Sequence, residues 1–219
     1  MEEVPDAVVD ELTAVLRRHD GDVRELVVAS VLHPDMIEAP RRMLRPEELA
    51  RTIERLTGYR WEGDPDTRTS GDDPCTVGCY GVVDLARSDA HGFRTLLGGV
   101  DGWDVLEPAQ GPSPTRALAM EWLAQEAATH VVAQDAVRPR AQRHLLTLVE
   151  PSLSPSPDAL HRQLRSLHTA ILGEWVGAWS AEVARTAALY RSLEADLGPE
   201  SAWIAVIAAM LQDHRLVLP

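Results

Sequence analysis

The two ends of the chain share a pattern of apolar positions that predicts two helices joined by a short glycine turn. In each pattern a pair of leucines at helical spacing comes first, a glycine follows, and a mostly apolar run comes next. These positions are Leu12, Leu16, Gly21 and 26–32 at the N-terminal end, and Leu189, Leu193, Gly198 and 205–211 at the C-terminal end. A repeated apolar pattern of this kind is typical of packing positions, so we expect both hairpins to bury their apolar faces.

Helical spacing and helix-terminal residues predict further helices through the rest of the chain. They cover Pro46 to Gly58, parts of 82–97, 115–134, 140–149, a segment from Asp158, and a segment after Ser180. In the helix over 115–134, the side chains expected to lie inward are Leu118, Trp122, Leu123, Ala127, Val131 and Val132. Core packing is also expected for the tryptophans at apolar helix positions, which are Trp122, Trp175, Trp179 and Trp203.

Together these elements predict an all-α fold, a single irregular helical domain of roughly seven to nine helices with long central loops. No run of alternating β-branched residues is long enough to predict a sheet. The predicted domain spans 1–219, and the Pro- and Ser-rich segment 150–158 is a candidate internal boundary.

The central third of the chain lacks helical periodicity and is rich in turn formers and acids. Residues 62–81 and 98–104 are predicted loops, and 108–114 is a Pro-rich connector. Loops of this length are uncommon in a helical domain unless they are functional or disordered. We therefore expect any ligand site to include part of 62–114, with Trp103 partly exposed.

The charge of the chain narrows the choice of partners. The 219 residues carry a net charge of −13, of which −11 falls in 1–110, where 23 acidic side chains face 12 basic ones. Phosphate binding needs clustered basic side chains, so this acidity argues against a nucleic-acid partner and an anionic membrane surface. The apolar stretches are also shorter than the roughly 20 residues of a membrane span. The expected partner is therefore a protein or a small molecule, and no membrane insertion is expected.

Cys75 and Cys79 lie in a glycine-rich part of the first long loop. They could close a disulfide, supply half of a metal site with His91 as a further ligand, act as a redox pair, or remain inert thiols. Their spacing matches neither the Cys-X-X-Cys redox motif nor the Cys-X-X-Cys-His haem attachment motif. The pair is a disulfide candidate if the chain is exported, and inert thiols are the next interpretation.

Acidic side chains around the second loop form a candidate site for a divalent metal such as calcium. Asp101 and Asp104 lie in this loop, and Asp84 and Asp89 precede it. Carboxylates and loop carbonyls are typical calcium ligands, but the spacing does not fit the twelve-residue calcium loop. The competing interpretation is a turn in which aspartate side chains bond their own backbone.

Glu126 and His130 are four residues apart on one predicted helix, so they share a face. In a cleft, such a pair could act as acid and base or as two metal ligands. His130 also lies near the apolar stripe, where a histidine with satisfied core contacts is the commoner interpretation. His161 and His168 form a second spaced pair, for which we expect one side chain at the core edge and the other exposed.

Short segments spread over most of the chain carry a family resemblance. They are Val23–Met36, Leu44–Arg51, Leu56–Trp61, Gly98–Asp104, Ser113–Arg116, Leu167–Gly173 and Ala202–Leu216. These segments resemble a group of uncharacterised exported, cytochrome-associated helical proteins of planctomycetes and myxobacteria. His33 and Gln212 depart from the group, which more often has Ser at both positions.

The resemblance implies an exported helical module with an undefined role in a redox or surface-degradation assembly. It implies no active-site residue, and haem attachment is not carried over because the chain has no Cys-X-X-Cys-His motif. The first residues, Met-Glu-Glu-Val-Pro-Asp, are acidic where a signal peptide is basic. We therefore expect either a periplasmic or extracellular protein whose signal peptide was removed, or a cytoplasmic protein.

Two functional hypotheses follow. The first is a non-catalytic helical binding or scaffold module, and it agrees with the repeated hairpins and the family resemblance. The second is a metal-binding or redox enzyme that uses the central loops over 62–104. Whether the chain is an enzyme stays open at this point, as does the identity of any cofactor.

Overall fold

The computed structural model describes residues 6–19, 21–32, 43–63, 83–88, 92–109, 111 and 113–217. By their internal contacts, residues 1–42 and 43–219 form two separate units. The segment 150–158, predicted as an internal boundary, lies within the second unit.

The first unit is the predicted N-terminal hairpin. Helix α1 (Asp6–Arg18) and helix α2 (Val23–Leu32) are joined by a turn at Gly21. The expected burial is only partly found, because the apolar side chains of α2 are spread around the helix and do not form one stripe. Three of them are more than half exposed: Val23, Val27 and Val28.

The second unit confirms the all-α fold class. Its α-helices are α3 (Pro46–Thr57), α4 (Phe93–Leu96), α5 (Pro114–Val137), α6 (Pro157–Leu172), α7 (Ala181–Leu197), α8 (Pro199–Leu211) and α9 (His214–Val217). The described residues therefore contain nine α-helices in the two units together. The one sheet among them is a two-stranded antiparallel ribbon of β1 (Glu62–Gly63) and β2 (Val83–Asp84).

The core of the second unit lies where α8 packs against α5 and α7. Trp203 of α8 is fully buried and contacts Tyr190 of α7, with ring centroids 4.4 Å apart. Gly198, with a φ of 81°, separates these two helices. The C-terminal hairpin thus buries most of its predicted apolar positions, although Leu189 is 43% exposed.

Helix α5 buries four of the six side chains predicted to lie inward, which are Leu123, Ala127, Val131 and Val132. Leu118 and Trp122 are about half exposed, whereas the small side chains of the opposite stripe are buried. The buried alanines of α5 are Ala119, Ala124, Ala127 and Ala128. Small side chains allow the backbones of α5 and α8 to approach closely, so close packing places alanines inward and leaves larger apolar residues at the edge.

Two of the tryptophans predicted in the core are on the surface. Helix α6 ends at Leu172 because Gly173 adopts a left-handed conformation with a φ of 67°, so Trp175 and Trp179 belong to a loop. Trp175 is 87% exposed and Trp179 is 68% exposed. The helical spacing of the sequence continues past the point at which the backbone leaves the helix.

The helix predicted over 140–149 is absent. A single 3-10 turn covers Arg140–Gln142, and the following backbone is irregular. The reason is Asp135, whose fully buried carboxylate accepts hydrogen bonds from three successive backbone N–H groups. The donors are His144, Leu145 and Leu146, at 2.8, 2.9 and 2.8 Å. These amides therefore bond a side chain instead of carbonyls of their own segment.

The segment predicted as one or two short helices over 82–97 contains β2 and the one-turn helix α4 in its described part. Within the described residues, no helix is both long enough and apolar enough to span a bilayer.

Candidate functional site

The loop over 98–109 is closed at its base and built from local hydrogen bonds. The backbone N–H of Ala109 donates to the carbonyl of Gly98 at 3.0 Å and joins the two ends. The backbone N–H of Asp101 donates to the carbonyl of Val105 at 3.1 Å and closes the tip. We refer to residues 98–109 as the recognition loop.

Asp101 organises the tip of the recognition loop. Its Oδ1 accepts hydrogen bonds from the backbone N–H groups of Trp103, Asp104 and Val105, at 2.8, 3.0 and 2.9 Å. These bonds stabilise the ionised carboxylate and hold the pKa of Asp101 below its usual value. The structure therefore shows the predicted turn in which an aspartate side chain accepts hydrogen bonds from the backbone of its own loop.

Arg116 holds the base of the recognition loop from below. It lies in the first turn of α5, which Ser113 caps by accepting a hydrogen bond from the Arg116 backbone N–H at 3.1 Å. The guanidinium is only 3% exposed and donates to the carbonyls of Leu97 and Leu44, the latter at 3.0 Å. Burial lowers its pKa, and its Nε has no hydrogen-bond partner among the described residues. A buried cation thus fixes the loop base to the start of α3.

The recognition loop displays apolar and acidic side chains on this fixed framework. Trp103 is 88% exposed and Leu106 is 71% exposed, so the expected exposure of Trp103 is confirmed. Asp104 and Glu107 are also exposed. The loop therefore presents a large aromatic ring, an aliphatic side chain and two carboxylates to solvent, all on a backbone that is already ordered.

A second loop, residues 173–180, presents Trp175 and Trp179. Trp179 stacks on His161, with ring centroids 4.1 Å apart and 25° between the planes. His161 Nδ1 lies 2.8 Å from the carbonyl oxygen of Ala178, so this nitrogen carries the hydrogen. His161 thereby orders the loop backbone and the Trp179 ring together.

His168 holds the same loop from inside the fold. It is 3% exposed, and Nδ1 lies 3.1 Å from Glu174 Oε2 while Nε2 lies 3.1 Å from Thr186 Oγ1. Glu174 also accepts a hydrogen bond from Arg215 of α9. Hydrogen bonding from His168 first, and from Arg215, lowers the pKa of Glu174.

Thr186, His168 and Glu174 place a hydroxyl, an imidazole and a carboxylate in a row. Enzymes that activate a nucleophile with a general base use the same order of groups. Here the Thr186 hydroxyl lies 3.1 Å from the Glu182 carbonyl of its own helix, as helical threonines commonly do. The contacts of His168 join α6, α7 and the 173–180 loop, and Glu174 extends them to α9. We interpret the group as a structural clamp on the 173–180 loop. The sequence prediction for this pair is half right, since His161 is at the edge but His168 is buried.

The acidic residues predicted as metal ligands do not converge in the described part of the chain. Asp84 accepts hydrogen bonds from the backbone N–H groups of Ala86 and Arg87 and forms a 3.0 Å ion pair with the Arg87 side chain. Asp101 is engaged as described, and Asp104 is exposed. Among the described residues, no three His, Cys, Asp or Glu side chains form a group that could hold a metal ion. The other candidates, Asp89, His91, Cys75 and Cys79, lie outside the described residues.

The pair Glu126 and His130 shares a face of α5 as predicted, and the structure adds Tyr59 to it. The Tyr59 hydroxyl donates to Glu126, and its ring centroid lies 5.5 Å from that of His130. Burial and the Glu126 carboxylate raise the pKa of Tyr59. Burial and the neighbouring charges of Arg138 and His144 lower the pKa of His130. The cluster joins the segment after α3 to α5.

Sequence reasoning missed the residues that hold the two loops, and also Asp135, which organises the backbone of 144–146. Arg116, Asp135, His168 and Arg215 were not recognised as organising residues. A charged side chain within an apolar helical stripe is the signal that could have found Arg116 and Asp135. No comparable signal marks Arg215, because its partner Glu174 is 41 residues away in the chain.

Comparison with known proteins returned no match for this chain: no protein-family model, no curated protein and no solved structure is similar to it.

Proposed function

We propose that this chain is a non-catalytic helical binding or scaffold module of an exported bacterial assembly. The observation that carries the proposal is the display of almost fully exposed tryptophans, Trp103 and Trp175, on loops whose backbones are fixed by other side chains. Tryptophan is the residue type that most often dominates the energy of protein interfaces. A loop that is ordered before binding loses less conformational entropy when its partner arrives.

The assignment to an exported assembly rests on the family resemblance. Gly98–Asp104 is one of the short segments that carry it, and it forms the first part of the recognition loop. The proposal includes a periplasmic or extracellular location, which fractionation of the source organism with a tagged chain would test.

The alternative function is a metal-binding or redox enzyme that uses the central loops over 62–104. The contacts of Asp84 and Asp101 favour the binding module, because both carboxylates already bond the backbone beside them. Elemental analysis of the purified full chain, combined with a thiol assay on Cys75 and Cys79, separates the two proposals. A stoichiometric metal would support the enzyme, and a blocked-thiol assay that shows a disulfide would support an exported module.

The binding function itself is tested in the source organism. A tagged chain is cross-linked in living cells and purified, and the bound proteins are quantified for wild type, Trp103→Ala and Trp175→Ala. We expect a reproducible partner at a fixed ratio to the chain, with strong loss of that partner in at least one variant. Recovery of the same partner from both variants, or of none from wild type, would contradict the proposal.

A further inference from the structure

We propose that the recognition loop binds a basic, partly apolar segment of a partner protein. In this assignment Trp103 and Leu106 provide the apolar contact, and Asp104 and Glu107 attract the basic side chains. The inference rests on the proposed binding function and goes beyond it, because it selects one loop and one chemistry of partner.

The negative charge of the recognition loop favours a partner with positive charge. The loop carries three carboxylates, Asp101, Asp104 and Glu107, and no basic side chain. Arg116 beneath it contributes one positive charge, so the loop together with Arg116 carries a net charge of −2. Arg94 also contacts the loop, through the carbonyl of Val100, but its charge is balanced by Glu47 at 2.6 Å. Complementary potentials across an interface raise the association rate and suppress wrong partners.

The apolar side chains of the loop suit the same partner. A tryptophan ring attracts arginine and lysine side chains over its face, and the stems of those side chains are themselves apolar. Trp103 can therefore contact a basic residue through its ring, while Leu106 contacts a neighbouring aliphatic side chain. An acidic or purely polar segment would gain neither interaction.

The 173–180 loop is less suited to this partner. Its single acidic side chain, Glu174, is already paired with Arg215 and with His168. Trp175 has almost the same exposure as Trp103, 87% against 88%. Trp175 therefore provides a matched control: its exposed fraction is nearly the same, but its loop carries no exposed carboxylate.

The test measures the affinity of the full chain for two labelled synthetic peptides. One is Gly-Arg-Leu-Gly-Arg-Leu-Gly-Arg-Leu-Gly, and the other has Glu in place of every Arg. We expect saturable binding of the Arg peptide at physiological ionic strength and none of the Glu peptide. Trp103→Ala should lower the affinity for the Arg peptide by at least about tenfold, whereas Trp175→Ala should leave that affinity unchanged.

A second pair of variants separates a local charge effect from the general attraction of an acidic protein. Asp104→Asn with Glu107→Gln removes two charges from the loop, and Asp196→Asn with Glu200→Gln removes two exposed charges elsewhere. Only the first pair should weaken binding. Equal weakening by both pairs, full affinity in Trp103→Ala, or no saturable binding of the Arg peptide would overturn the assignment. Circular dichroism and melting curves of all variants confirm that these exposed substitutions leave the fold intact.

Two further outcomes distinguish this inference from the proposed function. If a cellular partner is lost in Trp175→Ala but retained in Trp103→Ala, the proposed binding function stands, and the assignment of binding to the recognition loop is wrong. Self-association of the wild-type chain in sedimentation experiments that Trp103→Ala abolishes would identify a second copy as the occupant, and would also overturn a basic partner segment.

Discussion

The buried guanidinium of Arg116 donates a hydrogen bond to the carbonyl oxygen of Leu97, immediately before the recognition loop begins. The same side chain donates to Leu44, which precedes α3. A single cation in the first turn of α5 therefore joins two segments that are distant in sequence. It does so through neutral carbonyls, so its contribution depends on hydrogen bonding rather than on an ion pair.

Replacing Arg116 by methionine keeps most of the buried volume and removes both donors. Charged donors contribute about 1.5–3 kcal/mol each, and relief from burying an uncompensated cation offsets part of that loss. We expect Arg116→Met to lower the free energy of unfolding by roughly 2–4 kcal/mol in urea denaturation. Arg165→Met, at an exposed position of α6, is the control, and it should change stability by less than about 0.5 kcal/mol.

Gly98 is required at the base of the recognition loop for two reasons. Its φ of +89° is unfavourable for any residue with a Cβ, and that Cβ would lie 2.9 Å from Arg116 Nη1 and 3.1 Å from Ala109 Cβ. Gly98→Ala should therefore destabilise the chain by roughly 1–3 kcal/mol in thermal or chemical unfolding.

The control is Gly111→Ala, because a Cβ there meets no atom of the described residues within 4 Å and its φ is not in the left-handed region. It should be neutral or slightly stabilising, since alanine restricts the unfolded chain. Equal destabilisation by both substitutions would show that the Gly98 contact with Arg116 is not the cause.

Asp135 is the side chain that replaces a helix over 140–149. Removing its carboxylate in Asp135→Ala leaves the buried amides of Leu145 and Leu146, and the half-buried amide of His144, without acceptors. Each buried amide without a partner costs about 1–3 kcal/mol, so we expect a loss of roughly 3–5 kcal/mol of stability. Asp196→Ala, at an exposed position of α7, should be nearly neutral. A mild effect of Asp135→Ala in calorimetry would mean that water replaces the carboxylate.

The tip of the recognition loop should respond to acid through Asp101. Hydrogen bonds from backbone N–H groups, that of Trp103 foremost, lower the pKa of Asp101 below its usual value of 3.8. The carboxylate therefore stabilises the folded loop fully above pH 3.8, and this stabilisation is lost as the pH falls through the lowered pKa. In two-dimensional amide NMR, we expect the Trp103, Asp104 and Val105 signals to stay constant from pH 7 to about 4 and to shift below that. In Asp101→Asn the same signals should not titrate together.

Local signals in the sequence predicted much of the architecture. Helix α3 begins at Pro46 and ends before Gly58, as predicted, because proline favours the first turn and Gly58 adopts the left-handed conformation that ends a helix. Ser180 caps α7 by accepting a hydrogen bond from the Val183 backbone N–H, again as predicted. These signals depend on residues within one turn of each other, so the sequence alone carries them.

Predictions failed where a partner distant in the chain competed with the local pattern. Leu118 was expected inward, but close packing against α8 selected the alanine stripe of α5. Trp175 was expected in the core because its spacing fits α6, although the helix had already ended at Gly173. In both cases hydrophobicity identified apolar residues correctly but did not show which ones a neighbouring helix would cover.

For the candidate site, the sequence by itself determined the central loop, the exposure of Trp103 and the self-bonding turn at Asp101, because all three follow from short-range chemistry and composition. Tertiary structure decided what holds the base of that loop and which of its charges are exposed. Arg116 reaches Leu44 across 72 residues, and Arg215 reaches Glu174 across 41. Such contacts depend on how helices pack, and only the folded arrangement of the second unit specifies which distant carbonyl or carboxylate each charge meets.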